Sequence, residues 1–358
     1  MFCWIMLRRH LDAGPLTTLG PHARSFAAIP PRIESIAPVV RGLFLLEERA
    51  ATLGIPLTET DRRTVHLRSA GDMLDAVTAR DARPLSEPRP PGRRVVTTAR
   101  GFATVAAAVL RARGVPARVR CGFATYLIAG RYEEHWLVEY HERRLGRWLL
   151  ADVQLDEEQR PALPLLLPAL DVPRGRAWVG GQNAWIAIRH GHDPARYGSH
   201  LTAARADPAS TGTTGDTAPP GEAGYAEVAR EAGNAPVAAG RRNAGEPGHA
   251  ETAGGAGKGE VAGEEGKADV AGGAGSRADA VAGESVVAAV VLRDIACLDD
   301  AICLPWDRWA PMPEPGEPVD RERFDAIAMG GEHVHPPEQV YNARRGRTET
   351  FVGRPPIH

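Results

Sequence analysis

The sequence predicts an α+β fold in which a central helix packs on an antiparallel sheet, with a long disordered insertion in the chain. Three observations support this prediction. A helical segment rich in small residues is followed by three strand-like runs joined by short polar turns. Residues 203–285 contain no Leu, Ile, Phe, Trp, Met or Cys, so they cannot bury enough apolar surface to offset their ordering entropy. An apolar segment after residue 285 indicates that the chain then returns to the core.

Composition excludes several classes of protein. The 358 residues carry 43 Lys and Arg against 45 Asp and Glu, a formal net charge of −2, so we expect no general attraction to nucleic acid. No apolar run approaches the ~20 residues that a membrane-spanning helix needs. The four cysteines form no CxxC pair, which argues against a disulfide framework or a structural zinc site. The apolar N-terminus is followed by Arg8 and Arg9, the reverse of a secretory signal, and we expect a cytoplasmic protein.

Two helices are predicted before the central one. Apolar residues recur mostly at spacings of three and four between residues 31 and 54, which predicts an amphipathic helix entered through prolines. Ser69 followed by Asp72 is an N-terminal capping pattern and predicts a short helix over 73–80.

The central helix is predicted over residues 99–113. Thr98 precedes it, its alanines suit close packing, and Gly114 ends it. Strands are predicted over 117–127, 135–140 and 148–154. We therefore place one domain over 20–200, with its core motif at 97–156.

The remainder of the chain divides into three predicted parts. Residues 203–285 are interpreted as the disordered insertion. Residues 286–336 are expected to return to the core, with an aromatic loop at 304–309 packed on it. Residues 337–358 are expected to be a loose tail.

A hairpin argument brings together His135 and Asp152. If the loop between the last two strands spans 141–146, residues whose numbers sum to 287 lie opposite each other, which pairs Tyr140 with Arg147 and His135 with Asp152. Directly opposed Cβ atoms are only ~5 Å apart. A carboxylate at that distance would orient the imidazole and raise its pKa, as in the acid/base half of a Cys-His-Asp or Ser-His-Asp triad.

A nucleophilic cysteine would belong at the start of the central helix, where free N–H groups and the helix dipole lower a thiol pKa. The motifs around this position resemble those of the transglutaminase-like superfamily, in which a cysteine opens the helix and a His strand and an Asp strand follow. The resemblance covers residues 97–156 and rests on Phe102-Ala103, the run RARGVPAR ending at Arg118, Cys121-Gly122-Phe123, His135-Trp136 with Glu139-Tyr140, and Arg147-Trp148 leading to Asp152.

The sequence departs from this family at the nucleophile. Ala99 stands three residues before Phe102, where the family has its cysteine, and Gly101 stands where many relatives carry an acidic or polar side chain. The resemblance therefore implies a papain-like cysteine-protease-type core and a pseudoenzyme that keeps His135 and Asp152. It implies a protein that either binds a peptide or amide-bearing ligand in the former catalytic cleft or persists as a scaffold, and we expect no cofactor and no metal.

Two alternatives remain open at this stage. The protein could be an active acyl-transferase or amide hydrolase in which Cys121 or Thr98 attacks, with His135 as base and Asp152 as its orienting group. It could instead be an interaction protein that recruits a partner through residues 203–285.

Other polar features have simpler interpretations. The run from His190 to Asp193 resembles a metal-ligand cluster, but it follows a predicted helix over 178–189 and has no distant fourth ligand. Arg118 and Arg120 alternate along one strand face and are interpreted as solvated or ion-paired side chains. Gly180-Gly181 is too short to indicate a nucleotide-binding loop.

Overall fold

The computed structural model describes residues 7–156, 163, 167–199, 276–332 and 334–351. It is an α+β structure, as predicted, built around an antiparallel sheet with the order β5-β4-β3-β6. A short strand β7 pairs in parallel with the start of β4. These strands are β3 (Ala117–Ala124), β4 (Tyr132–Glu142), β5 (Arg147–Ala151), β6 (Trp178–Gly180) and β7 (Tyr197–Gly198).

The central helix packs on one face of this sheet. Helix α5 (Ala99–Ala112) agrees with the prediction to within a residue, and the chain leaves it through Gly114, whose φ of 77° favours glycine. Its side chains share a core with Trp136 and Val138 of β4. The opposite face of the sheet carries a second apolar cluster, which includes Leu137 and Trp178. The sheet is therefore buried on both faces.

The N-terminal part forms a layer of helices and a two-stranded parallel sheet. Its elements are α1 (Ile33–Leu43), β1 (Phe44–Leu46), α2 (Arg49–Thr52), α3 (Glu59–Thr64), α4 (Ala70–Arg80) and β2 (Val95–Thr97). The predicted cap of α4 is confirmed, because the Asp72 N–H donates to Ser69 Oγ at 3.0 Å. The core begins before residue 20, since Leu16 is 4% exposed.

The prediction of one helix between residues 31 and 54 is wrong after Leu43. There the chain becomes extended and β1 pairs with β2, the strand that leads into α5. The run Phe44-Leu45-Leu46 is apolar at every position, so it can be covered on both sides as a strand, whereas an amphipathic helix needs a polar face.

Two further helices cover the remaining edge of the sheet, α6 (Gly181–Arg189) and α7 (Arg277–Leu298). The prediction that disorder extends to residue 285 is wrong for 276–285, because Ser276 and Asp279 form a capping box and α7 begins there. Glu284 also pairs with Arg321 at 2.6 Å. The predicted disorder of 203–275 concerns residues outside the described part of the chain.

The C-terminal part adds a helix α8 (Arg321–Ala328) and a sheet of order β10-β9-β8, formed by β8 (Asp307–Arg308), β9 (Gln339–Asn342) and β10 (Arg347–Thr350). The predicted packing of the aromatic loop is confirmed, since Trp306 and Trp309 are buried. The prediction of a loose tail is wrong for 337–351. Strands β9 and β10 form a hairpin there, and Glu349 in β10 accepts hydrogen bonds from Arg68 and Asn342 at 3.0 Å. Residues 352–358 lie outside the described part.

None of the helices in the described ranges is both long and apolar enough to cross a membrane.

Candidate functional site

The structure brings His135 and Asp152 into direct contact. His135 Nε2 lies 2.8 Å from Asp152 Oδ2, and the two residues are 2% and 1% exposed. The predicted proximity of the pair is thus confirmed. The amide nitrogen of the Gln154 side chain lies 3.3 Å from the same imidazole nitrogen.

The predicted pairing between β4 and β5 is wrong by two residues. Tyr140 lies opposite Leu149 and Glu142 opposite Arg147, so opposed residues sum to 289. The turn is tighter than expected, because the Gly146 N–H donates to Glu142 O at 2.9 Å and Gly146 has a φ of 61°. Since the error is an even number of residues, every side chain keeps its predicted face. Asp152 therefore follows the end of β5 and reaches His135 diagonally.

Tyr126 completes this cluster and was not predicted. Its hydroxyl donates to Asp152 Oδ2 at 2.7 Å, and its ring meets the His135 ring edge-on with centroids 6.0 Å apart. Burial raises the pKa of Tyr126 well above its ordinary value, and the Asp152 carboxylate raises it further. Tyr126 therefore remains a proton donor at neutral pH, and the Asp152 carboxylate is held by side chains on two sides.

Ala99, which the resemblance places at the nucleophile position, is the first residue of α5 and is 8% exposed. Helix α5 is about 21 Å long, and the chain reverses direction after Gly114. Strand β3 then runs back about 17 Å from Ala117 to Gly122, the residue that lies opposite His135. Ala99 and His135 therefore lie at the same end of the sheet. Helix α5 packs on the Trp136 face, however, whereas His135 alternates with Trp136 and projects from the other face.

The space around Gly101, where many members of the family carry a polar side chain, is filled by Thr97. A Cβ atom added at Gly101 would overlap the Thr97 side chain, first at Oγ1. The space that a larger side chain would need is thus already occupied, and a polar residue at 101 would require Thr97 to move.

Comparison of the chain with protein-family models, curated proteins and solved structures found no match. The transglutaminase-like resemblance consequently rests on the sequence motifs alone.

Cys121 does not fit the role of a substitute nucleophile. It lies opposite Trp136, so its side chain is on the other face of the sheet from His135. Burial raises its pKa well above the ordinary value, and the nearby Glu134 raises it further; Cys121 Sγ lies 3.8 Å from Glu134 Oε1. A buried neutral thiol facing away from the base is not a nucleophile. The geometry therefore gives no support to the alternative in which Cys121 attacks.

Thr98 is the N-cap residue of α5, but its side chain makes no capping hydrogen bond. It is 1% exposed, and its carbonyl accepts the Gly101 N–H at 2.9 Å. Within the described residues, no hydrogen bond joins the Thr98 hydroxyl to His135. A threonine attacks only when a base activates it, so this arrangement gives Thr98 no support as nucleophile.

The run from His190 to Asp193 ends a helix. His190 is the C-cap of α6, Gly191 has a φ of 99°, and Asp193 accepts the Ala195 N–H at 3.0 Å. The predicted helix start at 178 is wrong, since Trp178 and Gly180 belong to β6 and α6 begins at Gly181. Across the described ranges, no group of three or more His, Cys, Asp or Glu side chains is arranged to hold a metal ion.

Arg100 is a second important residue that was not predicted. Its guanidinium is buried next to Ala99, and burial, followed by the charge of Arg68, lowers its pKa to about 10. It donates to four carbonyl oxygens, those of Leu67, Arg68, Ile302 and Cys303. The start of α5 is thereby fixed to both the N-terminal layer and the C-terminal segment. An arginine in the first turn of a helix made mostly of small and apolar residues was the available signal.

Proposed function

We propose that the protein is a non-catalytic transglutaminase-like protein that recognises a peptide or amide-bearing ligand without modifying it. The observation that supports this proposal is the buried contact of 2.8 Å between His135 Nε2 and Asp152 Oδ2, at the end of the sheet where α5 begins with Ala99. The imidazole and its orienting carboxylate are present, and Ala99, at the position where the family has its cysteine, carries only a methyl group on a helix that packs against the opposite face of the sheet from His135.

The chemistry explains why this combination is inactive through the family's route. In amide acyl transfer, a thiolate attacks the carbonyl carbon, a thioester forms, and the imidazolium donates a proton to the leaving amine. Ala99 has no atom that can form the thioester. Within the described residues, His135 and Asp152 keep their mutual contact, the hydrogen bond of Asp152 with Tyr126, and the contacts of both residues with Gln154.

Restoring the thiol tests the proposal. We would introduce Ala99→Cys into a Cys3→Ser background, because Cys121, Cys297 and Cys303 are buried and burial raises the pKa of each thiol. Iodoacetamide labelling at neutral pH is expected to be at least tenfold faster in this variant than in the same variant carrying His135→Ala. Asp152→Asn is a second, isosteric change that is expected to slow labelling.

The same variants separate recognition from turnover. Glutamine-containing peptides are expected to bind the unmodified protein without ammonia release, and Ala99→Cys is expected to add ammonia release. Equal labelling rates with and without His135 would contradict a shared site. Ammonia release by the unmodified protein that disappears in His135→Ala would contradict a non-catalytic protein, and failure of every peptide to bind would contradict the recognition role.

A further inference from the structure

A polar cavity of 350 Å³ lies on the same face of the sheet as His135, four residues further along β4. Its walls include Arg118, Arg120 and Glu139 from the sheet, Arg174 from the loop before β6, and Gln182 and Asn183 from the first turn of α6. This cavity is separate from the His135 cluster and plays no part in the chemistry described above.

The charges around this cavity do not cancel. Arg118, Arg120 and Arg174 all bond to the Glu139 carboxylate, and Asp294 is the only other carboxylate among the lining residues within the described chain. His10 lies 3.3 Å from Arg118 and is neutral at pH 7, since burial and then Arg118 lower its pKa to about 3. Three guanidinium groups against two carboxylates leave one surplus positive charge.

The surplus belongs to Arg118 and Arg174. Arg120 is fully engaged, because its Nε and Nη2 bind the two oxygens of Asp294 at 2.8 Å and its Nη1 binds Glu139 at 3.0 Å. Among the described residues, Arg174 uses only Nη2, toward Glu139. Arg118 uses Nε and Nη1 and stacks over the Trp148 ring at 4.5 Å. N–H donors of both side chains therefore remain for another acceptor.

The first turn of α6 adds to this set. Its N-cap is Gly180, which has no side chain to accept a hydrogen bond, so among the described residues no side chain caps the N–H groups of the first turn. A helix N-terminus favours a negative group, and the Gln182 and Asn183 amides supply further donors on the same wall.

We propose that this cavity binds the carboxylate group of a small organic acid or of a peptide C-terminus, held by Arg118 and Arg174 against the first turn of α6. A carboxylate matches the single surplus charge, and its two oxygens suit the paired N–H groups of a guanidinium. A cation is disfavoured, because Glu139 and Asp294 are already taken by arginines.

Binding is tested with matched probes. Calorimetric titration would compare acetyl-Gly-Gly carrying a free C-terminus, the same dipeptide as its C-terminal amide, acetate, and inorganic phosphate. We expect the free acid to bind and the amide to bind at least tenfold more weakly. Binding of acetate as tightly as the acetyl dipeptide would indicate a small-acid site, and tighter dipeptide binding would indicate a peptide C-terminus.

Arg174→Gln is the informative variant, because the Arg174 side chain is 31% exposed and its loss is expected to leave the fold intact. It should weaken free-acid binding at least tenfold, whereas Arg176→Gln, an exposed residue of the same loop that does not line the cavity, should not. The proposal is overturned if the free acid does not bind, if phosphate alone binds, or if Arg174→Gln binds normally. These results do not depend on Ala99, and the glutamine-containing peptides used to test the proposed function carry amidated C-termini, so failure of one proposal is distinguishable from failure of the other.

Discussion

Arginine side chains make the buried polar contacts that join distant residues of this chain. Arg100 donates to four carbonyl oxygens, Arg111 binds Asp300 at 2.8 Å, and Arg293 binds Glu134 at 3.3 Å. Each guanidinium loses its hydration on burial, so its acceptors must be supplied by the fold. Loss of one acceptor is therefore more costly here than loss of an apolar contact of similar size.

Glu139 allows a pH-dependent test of the idea that buried arginines depend on their acceptors for stability. Its pKa lies well below the ordinary value because Arg120, Arg118 and Arg174 outweigh the effect of burial. Glu139→Gln should lower the free energy of unfolding by about 3 kcal/mol at pH 7, as expected when one partner of a buried ion pair is removed. The measurement is urea denaturation across a pH series.

The sign of the pH effect follows from the lowered pKa. Below about pH 4.3 the unfolded chain takes up a proton at residue 139 that the folded protein does not, so the unmodified protein loses about 1.4 kcal/mol of this contribution per pH unit. The variant carries no such group. Its deficit should therefore shrink below pH 4, and a deficit that stays constant or grows there would contradict the ion-pair explanation.

At the scale of single elements, faces were predictable and register was not. Alternation along β4 and β5 fixes which side chains share a face, and this is why the contact between His135 and Asp152 was expected. Register depends on how many residues the turn uses, and several turn geometries fit the residues between 141 and 147. Tyr126 was not singled out, although the predicted strand over 117–127 contained it; in the structure β3 ends at Ala124 and Tyr126 lies in the bend that follows.

The start of α7 gives an element-scale prediction. Gly283 packs so closely on the chain at Pro194 that an added Cβ would overlap the Pro194 carbonyl. Gly283→Ala is therefore expected to lower the free energy of unfolding by about 1–3 kcal/mol through overpacking. Gly92→Ala is the matched control, since no atom lies within 4 Å of its added Cβ.

Whether Gly283→Ala raises or lowers the free energy of unfolding tells whether this end of α7 is packed. An unpacked helix would gain up to about 1 kcal/mol from the same change, because alanine favours helix more than glycine does. Stabilisation by Gly283→Ala in thermal or urea denaturation would mean that this end of α7 is not held against the Pro194 loop. Destabilisation, with Gly92→Ala neutral, would agree with the structure.

At the scale of the whole molecule, local patterns predicted the helix-then-sheet order but not the contacts between distant segments. The parallel pairing of β1 with β2 joins residues around 45 to residues around 96, and no local signal indicates it. The C-terminal sheet depends in the same way on Arg68, which binds both Asp307 and Glu349. Composition placed the end of the insertion near residue 285 because it weighs apolar content and ignores the cap at Ser276.

Two deletions test at which residue the chain contributes to the fold again. Removal of 203–275 keeps all of α7, whereas removal of 203–285 also removes the capping box, Gly283 and the Glu284 pair with Arg321. The longer deletion is expected to lower the melting temperature by at least about 4 °C relative to the shorter one, the shift that corresponds to roughly 1–2 kcal/mol in a chain of this size. Equal melting temperatures would show that residues 276–285 add no stability.

The long-range arginine contacts also set an order of events during synthesis. Arg100, Arg111 and Arg120 are translated before residue 200, and their acceptors Ile302, Asp300 and Asp294 are translated after residue 275. At roughly 5–20 residues per second, the ribosome needs about 4–15 s to pass between these two points. During that interval β3 to β7 have been synthesised, while three buried arginines have their acceptors from the N-terminal part but lack those from the C-terminal part. The buried arginine contacts of the sheet are therefore completed only once α7 and the segment after it have been synthesised.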